Sequence, residues 1–427
     1  MRKEQNELLT QTGPGTLMGA LFRRHWLPVL LAEELPEPDC PPVRVTIMSE
    51  RLLAFRDSEG RPGLIGEFCA HRGVSLWFGR NEQGGIRCAY HGWKYDVTGQ
   101  CIEVPSEPAE KGFCNKIRLQ SYPLVELGGA LWAYMGPSEH RPPLPQFEFA
   151  VSPAERRFVS KKLQESNYLQ AVEGAIDSSH TSFLHRGNLE SDPLFKGSKG
   201  NQYNLQDLQP KFEVVETPGG LYIGARRDVE SGQRYWRITP WVMPCFVMVP
   251  PRGEHPVRGL AWVPIDDESC WSWTLEFHPT RPLTDAERTA MSDGFGAHIK
   301  LIPGTYRPFA NKDNDYLMDR AAQKAGITYC GVAGFAMQDT SVQESMGPIQ
   351  DRTTENLVPT DAGIVMARRC LAKAAQALAE KGAAPLSANP ENQRVRAVST
   401  LLPSGAAFHE AAKEDLRVRE GVALTSV

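Results

Sequence analysis

The 427-residue chain has no apolar run of membrane-spanning length, no polybasic block and no internal repeat. Each absence removes a class of function. A bilayer-crossing helix needs about 20 consecutive, mostly apolar residues. Arg2 and Lys3 are followed by no apolar stretch of signal-peptide length, so the expectation is a cytoplasmic protein with no membrane association. Forty-seven basic residues stand against fifty-one acidic ones, a net charge of −4, which leaves no electrostatic footprint for nucleic acid or for an anionic lipid surface. Cysteine is sparse and odd in number, nine in all, which argues for a reducing compartment rather than a disulfide framework. Seven of the nine (Cys40, Cys101, Cys114, Cys245, Cys270, Cys330 and Cys370) read as buried or indifferent thiols.

The other two cysteines sit in couplets with histidine: Cys69-Ala-His71, sixteen residues, then Cys88-Ala-Tyr-His91. Two thiolates and two imidazoles suit a tetrahedral zinc. Because each couplet supplies one sulfur and one nitrogen, the cysteines also suit one iron of a [2Fe–2S] cluster and the histidines the other. That mixed ligation raises the reduction potential above that of an all-thiolate cluster and marks a one-electron carrier of Rieske type. Phe68 and Val74 are expected to shield the first couplet, and Tyr90, Trp93 and Tyr95 the second. Gly73 and Gly92 allow close backbone approach. Alternation in Val43, Val45 and Ile47, with turns at Asp57–Gly60 and Asp96–Gly99, predicts a small all-β unit with both couplets on hairpin loops.

Four regions follow from the pattern along the chain. Residues 1–40 form a leading segment, helical from Met18 to Leu31, packed on a later core, and residues 41–148 the cluster-bearing β domain. The stiff stretch Pro137–Pro145 is a boundary. Residues 149–382 then carry a hairpin around Thr217–Gly220, further strands in 235–249 and 257–278, and a capping box at Thr284–Glu287. The same region holds a long polar and aromatic loop in 304–328, read as a lid or partner-contacting segment, and an amphipathic helix over 361–381. Residues 383–427 read as a peripheral tail. The fold class is α+β, an all-β domain followed by an antiparallel sheet flanked by helices.

An electron carrier of this length needs a destination for its electrons. Asp177, His180 and His185 supply one, because Asp177 and His180 share a helix face and a break in the helix would bring His185 to the same ion. Two histidines with one carboxylate and open positions form the facial triad of non-heme Fe(II). The C-x-H-x16-C-x2-H and D-x2-H-x4-H patterns together resemble the catalytic α-subunit of Rieske non-heme iron ring-hydroxylating oxygenases, in their phthalate-dioxygenase-like branch. The resemblance runs from His25-Trp26 to about Arg368.

It implies a helix-grip (START-like) catalytic domain. It also implies a [2Fe-2S] cluster on Cys69, His71, Cys88 and His91, and a mononuclear Fe(II) on His180, His185 and a later carboxylate. The segment Phe335–Ile349 points to Asp339 for the latter, with Glu344 and Asp351 as competitors. Asp177 would bridge to the Rieske histidine of a neighbouring subunit, so a homotrimer or stacked trimers are implied. Electrons would come from a flavin/iron-sulfur reductase. Some relatives carry Asn where this chain has Glu173, which leaves open whether that position tunes the iron. For the substrate, an aromatic acid oxidised with O2, a buried arginine is the natural carboxylate anchor. Arg237, in an apolar strand, is the choice, while Arg226, Arg227 and Arg234 read as solvated. The leading function is dioxygenation or monooxygenation of a substituted benzoate or phthalate-like acid. O-demethylation of a methoxylated or aryl-ether acid is the alternative on the same scaffold. A Rieske electron-transfer protein without oxygenase activity and a zinc-stabilised binding module are the alternatives of other classes.

Overall fold

The computed structural model describes residues 1–230 and 232–427. The chain forms two compact units, residues 23–141 and residues 1–22 with 142–427, so the division falls inside the Pro137–Pro145 stretch rather than at 148. The leading segment is itself divided between the units. Of its expected helix, only α2 (Leu17–Arg23) forms, after α1 (Lys3–Thr10), and β1 (Trp26–Leu31) follows as a strand. Pro28 explains the correction, since an interior proline removes an amide donor and breaks a helix.

The smaller unit is all-β. β1 pairs with β11 (Ala130–Tyr134), which pairs with β10 (Leu124–Leu127). A second sheet runs β2 (Val43–Ile47), β3 (Glu50–Arg56), β4 (Pro62–Gly66) and β9 (Ser121–Tyr122). The third is a meander of β5 (Arg80–Glu82), β6 (Gly85–Arg87), β7 (Lys94–Tyr95) and β8 (Cys101–Glu103). Turns close at Gly60 N–H to Asp57 O (2.9 Å) and Gly99 N–H to Asp96 O (2.9 Å), where the sequence places them. Leu53, Phe55, Ile65, Leu76, Ile86 and Tyr95 form its core together with Cys69 and Cys88.

The larger unit is built on one antiparallel sheet in the order β12 (Arg157–Gln164), β18 (Cys270–Phe277), β17 (Val257–Pro264), β16 (Phe246–Val249), β15 (Gln233–Val242), β14 (Gly220–Glu230) and β13 (Lys211–Thr217). β19 (Val398–Pro403) pairs with β15 from Ile238 to Gln233. Residues 383–427 are therefore no peripheral tail. Val398, Leu402, Phe408 and Leu416 bury themselves against Trp236 and Ile238, and α10 (Phe408–Ala411) contributes to that cluster.

Short helices α3 (Glu148–Val151), α5 (Lys199–Gln206), α6 (Asp285–Ser292) and α7 (Arg320–Lys324) connect the strands, and the Thr284 side chain caps α6 as expected. Three longer helices cover the sheet. α4 (Tyr168–Ile176), capped by Asn167, lies on β16 and β17, α8 (Phe335–Glu344) packs on α4, and α9 (Ala362–Lys381) lies on β13 and β14. The 304–328 loop contains a tight turn in which Asp315, Tyr316 and Leu317 all adopt positive φ (50°, 55° and 51°), a costly conformation for non-glycine residues.

Candidate functional sites

In the β unit the two couplets occupy equivalent loops. Cys69 N–H bonds to Val74 O (2.9 Å) and Gly73 N–H to Cys69 O (2.9 Å). Cys88 N–H bonds in the same way to Trp93 O (2.8 Å) and Gly92 N–H to Cys88 O (3.0 Å). Gly73 and Gly92 have φ of +71° and +74°, a conformation glycine adopts without strain, and at Gly92 a Cβ would also meet Pro105 Cγ at 3.0 Å. The cysteines are buried and the histidines exposed, with the His71 and His91 rings 4.6 Å apart. Burial pushes the Cys69 thiol up, against a hydrogen bond from Tyr95 that pulls it down (Sγ to Oη 3.2 Å), so a thiolate there needs a metal to meet its charge. Trp93 stacks on His71 at 4.6 Å, and Val74 is partly buried. Phe68 and Tyr90, expected to shield the couplets, are instead 40% and 55% exposed.

The second constellation forms in the larger unit where α4 ends. Helix geometry stops at Ile176, Asp177 turns the chain, and His180–Ser182 is a short 3-10 turn. The motif therefore lies beyond the regular helix rather than along one face of it. Asp177 organises the turn: its Oδ1 accepts from Ser179 N–H (2.7 Å) and its Oδ2 from His180 N–H (3.2 Å). That same Oδ2 lies 3.3 Å from His180 Nδ1. His185 follows and places Nδ1 2.8 Å from Gln338 Oε1. The Gln338 amide is fixed in turn by donating to Asn188 Oδ1 (2.7 Å) and Val332 O (3.1 Å).

Oxygen acceptors at both Nδ1 atoms put the proton there and leave both Nε2 lone pairs free. They converge on Asp339 of α8, whose Oδ1 is 3.7 Å from His180 Nε2 and 3.3 Å from His185 Nε2. His185 Nε2 is buried without a hydrogen-bond partner. One ligand atom from each of His180, His185 and Asp339 lies within 4.8 Å of the others, an arrangement that fits a divalent metal. Burial lowers His185. Burial also opposes charge on His180, but Asp177 and Asp339 outweigh it and raise that histidine. Glu344 and Asp351 take no part: Glu344 accepts from Glu165 N–H and Tyr316, and Asp351 caps its own turn at Thr353.

Beside the triad a cavity of about 850 Å³, counted with its open mouth, is lined by His180, Asp339 and Asp177 on one side and by the sheet on the other. Leu260 and Trp262 form an apolar floor, and four cations line the same space: Lys162, Arg237, Arg252 and Arg258. Arg237 is 4% exposed, and its Nε and Nη1 have no hydrogen-bond partner. Arg227, expected to be solvated, is fully buried and bonds to Asp207 O, Ser178 O and Ser182 Oγ, which steadies the 178–182 turn. Burial pulls its pKa down to about 10. Glu173 does not line the cavity. It faces Arg352 (2.9 Å) and Arg368 (2.6 Å).

Sequence reasoning missed Gln338, Lys162, Arg252 and Arg258. Arg258 carried a signal, its strand parity with Leu260 and Trp262 along β17.

Comparison with known proteins gives two family matches, "Rieske [2Fe-2S] domain" over residues 25–123 and "LigXa C-terminal domain like" over residues 133–419. The chain is 36% identical over 403 residues to the 3-chlorobenzoate-3,4-dioxygenase oxygenase subunit of Comamonas testosteroni, covering 91% of this chain and 92% of that one. It is 37% identical over 377 residues to the phthalate 4,5-dioxygenase oxygenase subunit of Pseudomonas putida, covering 86% and 84%. It is 32% identical over 373 residues to the 5,5'-dehydrodivanillate O-demethylase oxygenase subunit of Sphingobium sp., covering 86% and 78%. Among solved structures, dicamba monooxygenase bound to dicamba shares the fold with a TM-score of 0.56 at 19% identity, covering 84% of this chain and 99% of that one.

Proposed function

The chain belongs to the Rieske non-heme iron ring-hydroxylating oxygenases, in their phthalate-dioxygenase-like branch, and from that premise we propose that it oxidises an aromatic carboxylate held by Arg237. The family's cofactors are a Rieske [2Fe-2S] cluster and a mononuclear non-heme iron. Cys69, His71, Cys88 and His91 are our assignment for the first, and His180, His185 and Asp339 for the second. When bound, the cluster supplies single electrons and the iron supplies an open position at which O2 is reduced.

The chain's own residues supply the rest. Asp177 and Gln338 hold the imidazole protons on Nδ1, so that both Nε2 atoms are available as ligands. Phe335 stacks on His185 at 3.6 Å and keeps water from that side. Leu260 and Trp262 offer a flat apolar surface to a ring. The observation that carries the substrate reading is Arg237: a buried guanidinium with unmatched donors in the cavity beside the triad is costly unless a ligand completes it. A carboxylate matches its fork geometry.

Asp177, about one-fifth exposed beside His180, is proposed to accept a hydrogen bond from a cluster histidine of a neighbouring subunit in a trimer or stacked trimers. The electron donor is a separate reductase or ferredoxin component, here proposed to be a flavin/iron-sulfur reductase, and the compartment is proposed to be the cytoplasm. No helix among the described residues is long and apolar enough to cross a membrane. O-demethylation remains the second reading, favoured by the likeness to the dehydrodivanillate enzyme. Family membership sets aside the electron carrier without oxygenase activity and the zinc-stabilised module.

The test is substrate-dependent O2 uptake with a generic reductase across benzoates, phthalates and methoxybenzoates, with product analysis to separate hydroxylation from demethylation. Arg237→Gln should raise KM for the active acids by roughly 10–100-fold, the value of a charged hydrogen-bonded pair. An unchanged KM would remove Arg237 from the substrate site.

A further inference from the structure

Four cations line the cavity beside the triad, and the protein holds two of them against the Phe195 ring. Arg252 donates to Asn201 Oδ1 and lies over Phe195 at 5.3 Å. Arg258 faces Glu276 at 3.5 Å and lies over the same ring at 4.3 Å. Arg237 and Lys162 differ. Lys162 is 7% exposed, and its Nζ donates one hydrogen bond, 3.0 Å to Gln164 Oε1. Among the described residues no carboxylate forms an ion pair with it. Gln164 is held in place by its amide nitrogen, which donates to Gln343 Oε1 (2.8 Å) and Ser166 Oγ (3.3 Å), and only its Oε1 faces Lys162. An ammonium carries three donors, so a buried one with a single neutral partner is under-satisfied in hydrogen bonds, while Glu344 and Asp339 act on its charge only from beyond ion-pair distance.

The register places these two cations on opposite sides of the floor. Lys162 lies on β12 at one end of the strand order, opposite Ser272 of β18, which is opposite Trp262 of β17. Arg237 lies on β15, four strands from β12. Both side chains line the one cavity, so a ring lying on this floor can present a substituent to each.

We propose that Lys162 is a specificity-determining residue, a second anchor that selects aromatic acids bearing a further anionic oxygen group, a carboxylate or a phenolate, on the side of the ring away from the carboxylate at Arg237. This rests on the aromatic-acid reading above and names its substrate class more closely. The selected ligand spans the floor, with Arg237 at one end, Lys162 at the other, and Leu260 and Trp262 beneath the ring.

Equilibrium binding to the iron-loaded holoenzyme tests this without turnover, using terephthalate, its monomethyl ester and benzoate as probes. Wild type should bind terephthalate about 10–100-fold more tightly than the monomethyl ester, as expected for one charge-assisted anchor. In Lys162→Met that ratio should fall to within about threefold of unity, whereas Lys162→Arg should keep a preference for the diacid. Iron content and circular dichroism establish that each variant is folded and loaded, and Lys162→Gln serves if the methionine variant is not. A wild-type ratio near unity, or a ratio that survives Lys162→Met and Lys162→Gln, overturns the second anchor. If Arg237→Met leaves benzoate binding unchanged, the aromatic-acid reading fails, and the second anchor with it.

Discussion

Glu173 occupies a position where the sequence alone allowed a role in tuning the iron, and its surroundings predict a different phenotype. Its carboxylate is 7% exposed and receives Arg352 Nη2 at 2.9 Å, Arg352 Nε at 3.2 Å and Arg368 Nε at 2.6 Å. Removing the charge leaves the two arginines unequally placed. Arg368 keeps Glu355, with Nη2 to Oε2 at 3.0 Å. Arg352 is fully buried and keeps only neutral acceptors, Asn6 Oδ1 at 3.1 Å and Gln350 O at 3.5 Å. Breaking a buried pair from one side costs about 3–5 kcal/mol, because the surviving charge is left uncompensated.

Glu173→Gln retains one acceptor oxygen and belongs at the lower end of that range, with Glu173→Ala at the upper end. At roughly 2–4 °C per kcal/mol for a large domain, a loss of about 3 kcal/mol lowers Tm by roughly 6–12 °C. The assay is urea and thermal unfolding, with fluorescence and iron release followed in parallel, because two compact units need not melt together. Arg352→Met in the Glu173→Gln background should recover part of the loss, since the pair is then removed from both sides. A variant within about 1 kcal/mol of wild type that has nonetheless lost turnover would refute this reasoning and return Glu173 to the chemistry.

Other consequences follow from the same geometry. Asp177→Asn should keep both metals and lose turnover; an active variant, or one lacking iron, would sink the bridging role. Gln338→Leu removes the acceptor at His185 Nδ1 and should weaken iron affinity by roughly 10–100-fold, read by chelator competition. Glu287 accepts both Arg281 Nη atoms (2.8 and 2.7 Å) and Thr284 N–H (2.8 Å). Burial opposes its charge, but these bonds outweigh burial and hold its pKa at about 2. The sign is that of a depressed carboxylate: its contribution is complete above the unfolded value near pH 4.5 and fades as pH falls toward about 2. Glu287→Gln should therefore cost about 1 kcal/mol at pH 7. The gap to wild type should narrow below pH 4.5, and a gap that stays constant as pH falls from 4.5 toward about 2 would contradict the assignment. Truncation after Gln393 removes β19 and the Leu402–Phe408–Leu416 cluster, and should yield protein that fails to fold cooperatively, as judged by the unfolding transition.

What could be read from the chain and what could not divides along sequence distance. The couplet loops, the Thr217–Gly220 hairpin and the capped α6 are local patterns whose physics lies within a dozen residues. β19 is invisible locally because its partner β15 lies some 160 residues upstream, and only that pairing buries it. Trp26–Leu31 misled because a short apolar run has no diagnostic period, although Pro28 held the clue. Arg227 was readable in principle, since it shares strand parity with Leu221, Ile223 and Ala225, all buried. Gln338 could not have been singled out, because an amide one residue from a proposed ligand gains its meaning only when His185, 153 positions earlier in the chain, comes to face it.

The larger unit assigns its tasks to different kinds of backbone. His180, His185 and Asp339 arise from a 3-10 turn, the loop after it and a helix, whereas Lys162, Arg237, Leu260 and Trp262 stand on strands locked in register. A strand side chain can be exchanged without moving the ladder that carries it, so under the proposed assignment substrate choice can change by point mutation while the frame proposed for the metal stays fixed. New specificities should be sought first in the floor residues of β12, β15, β17 and β18.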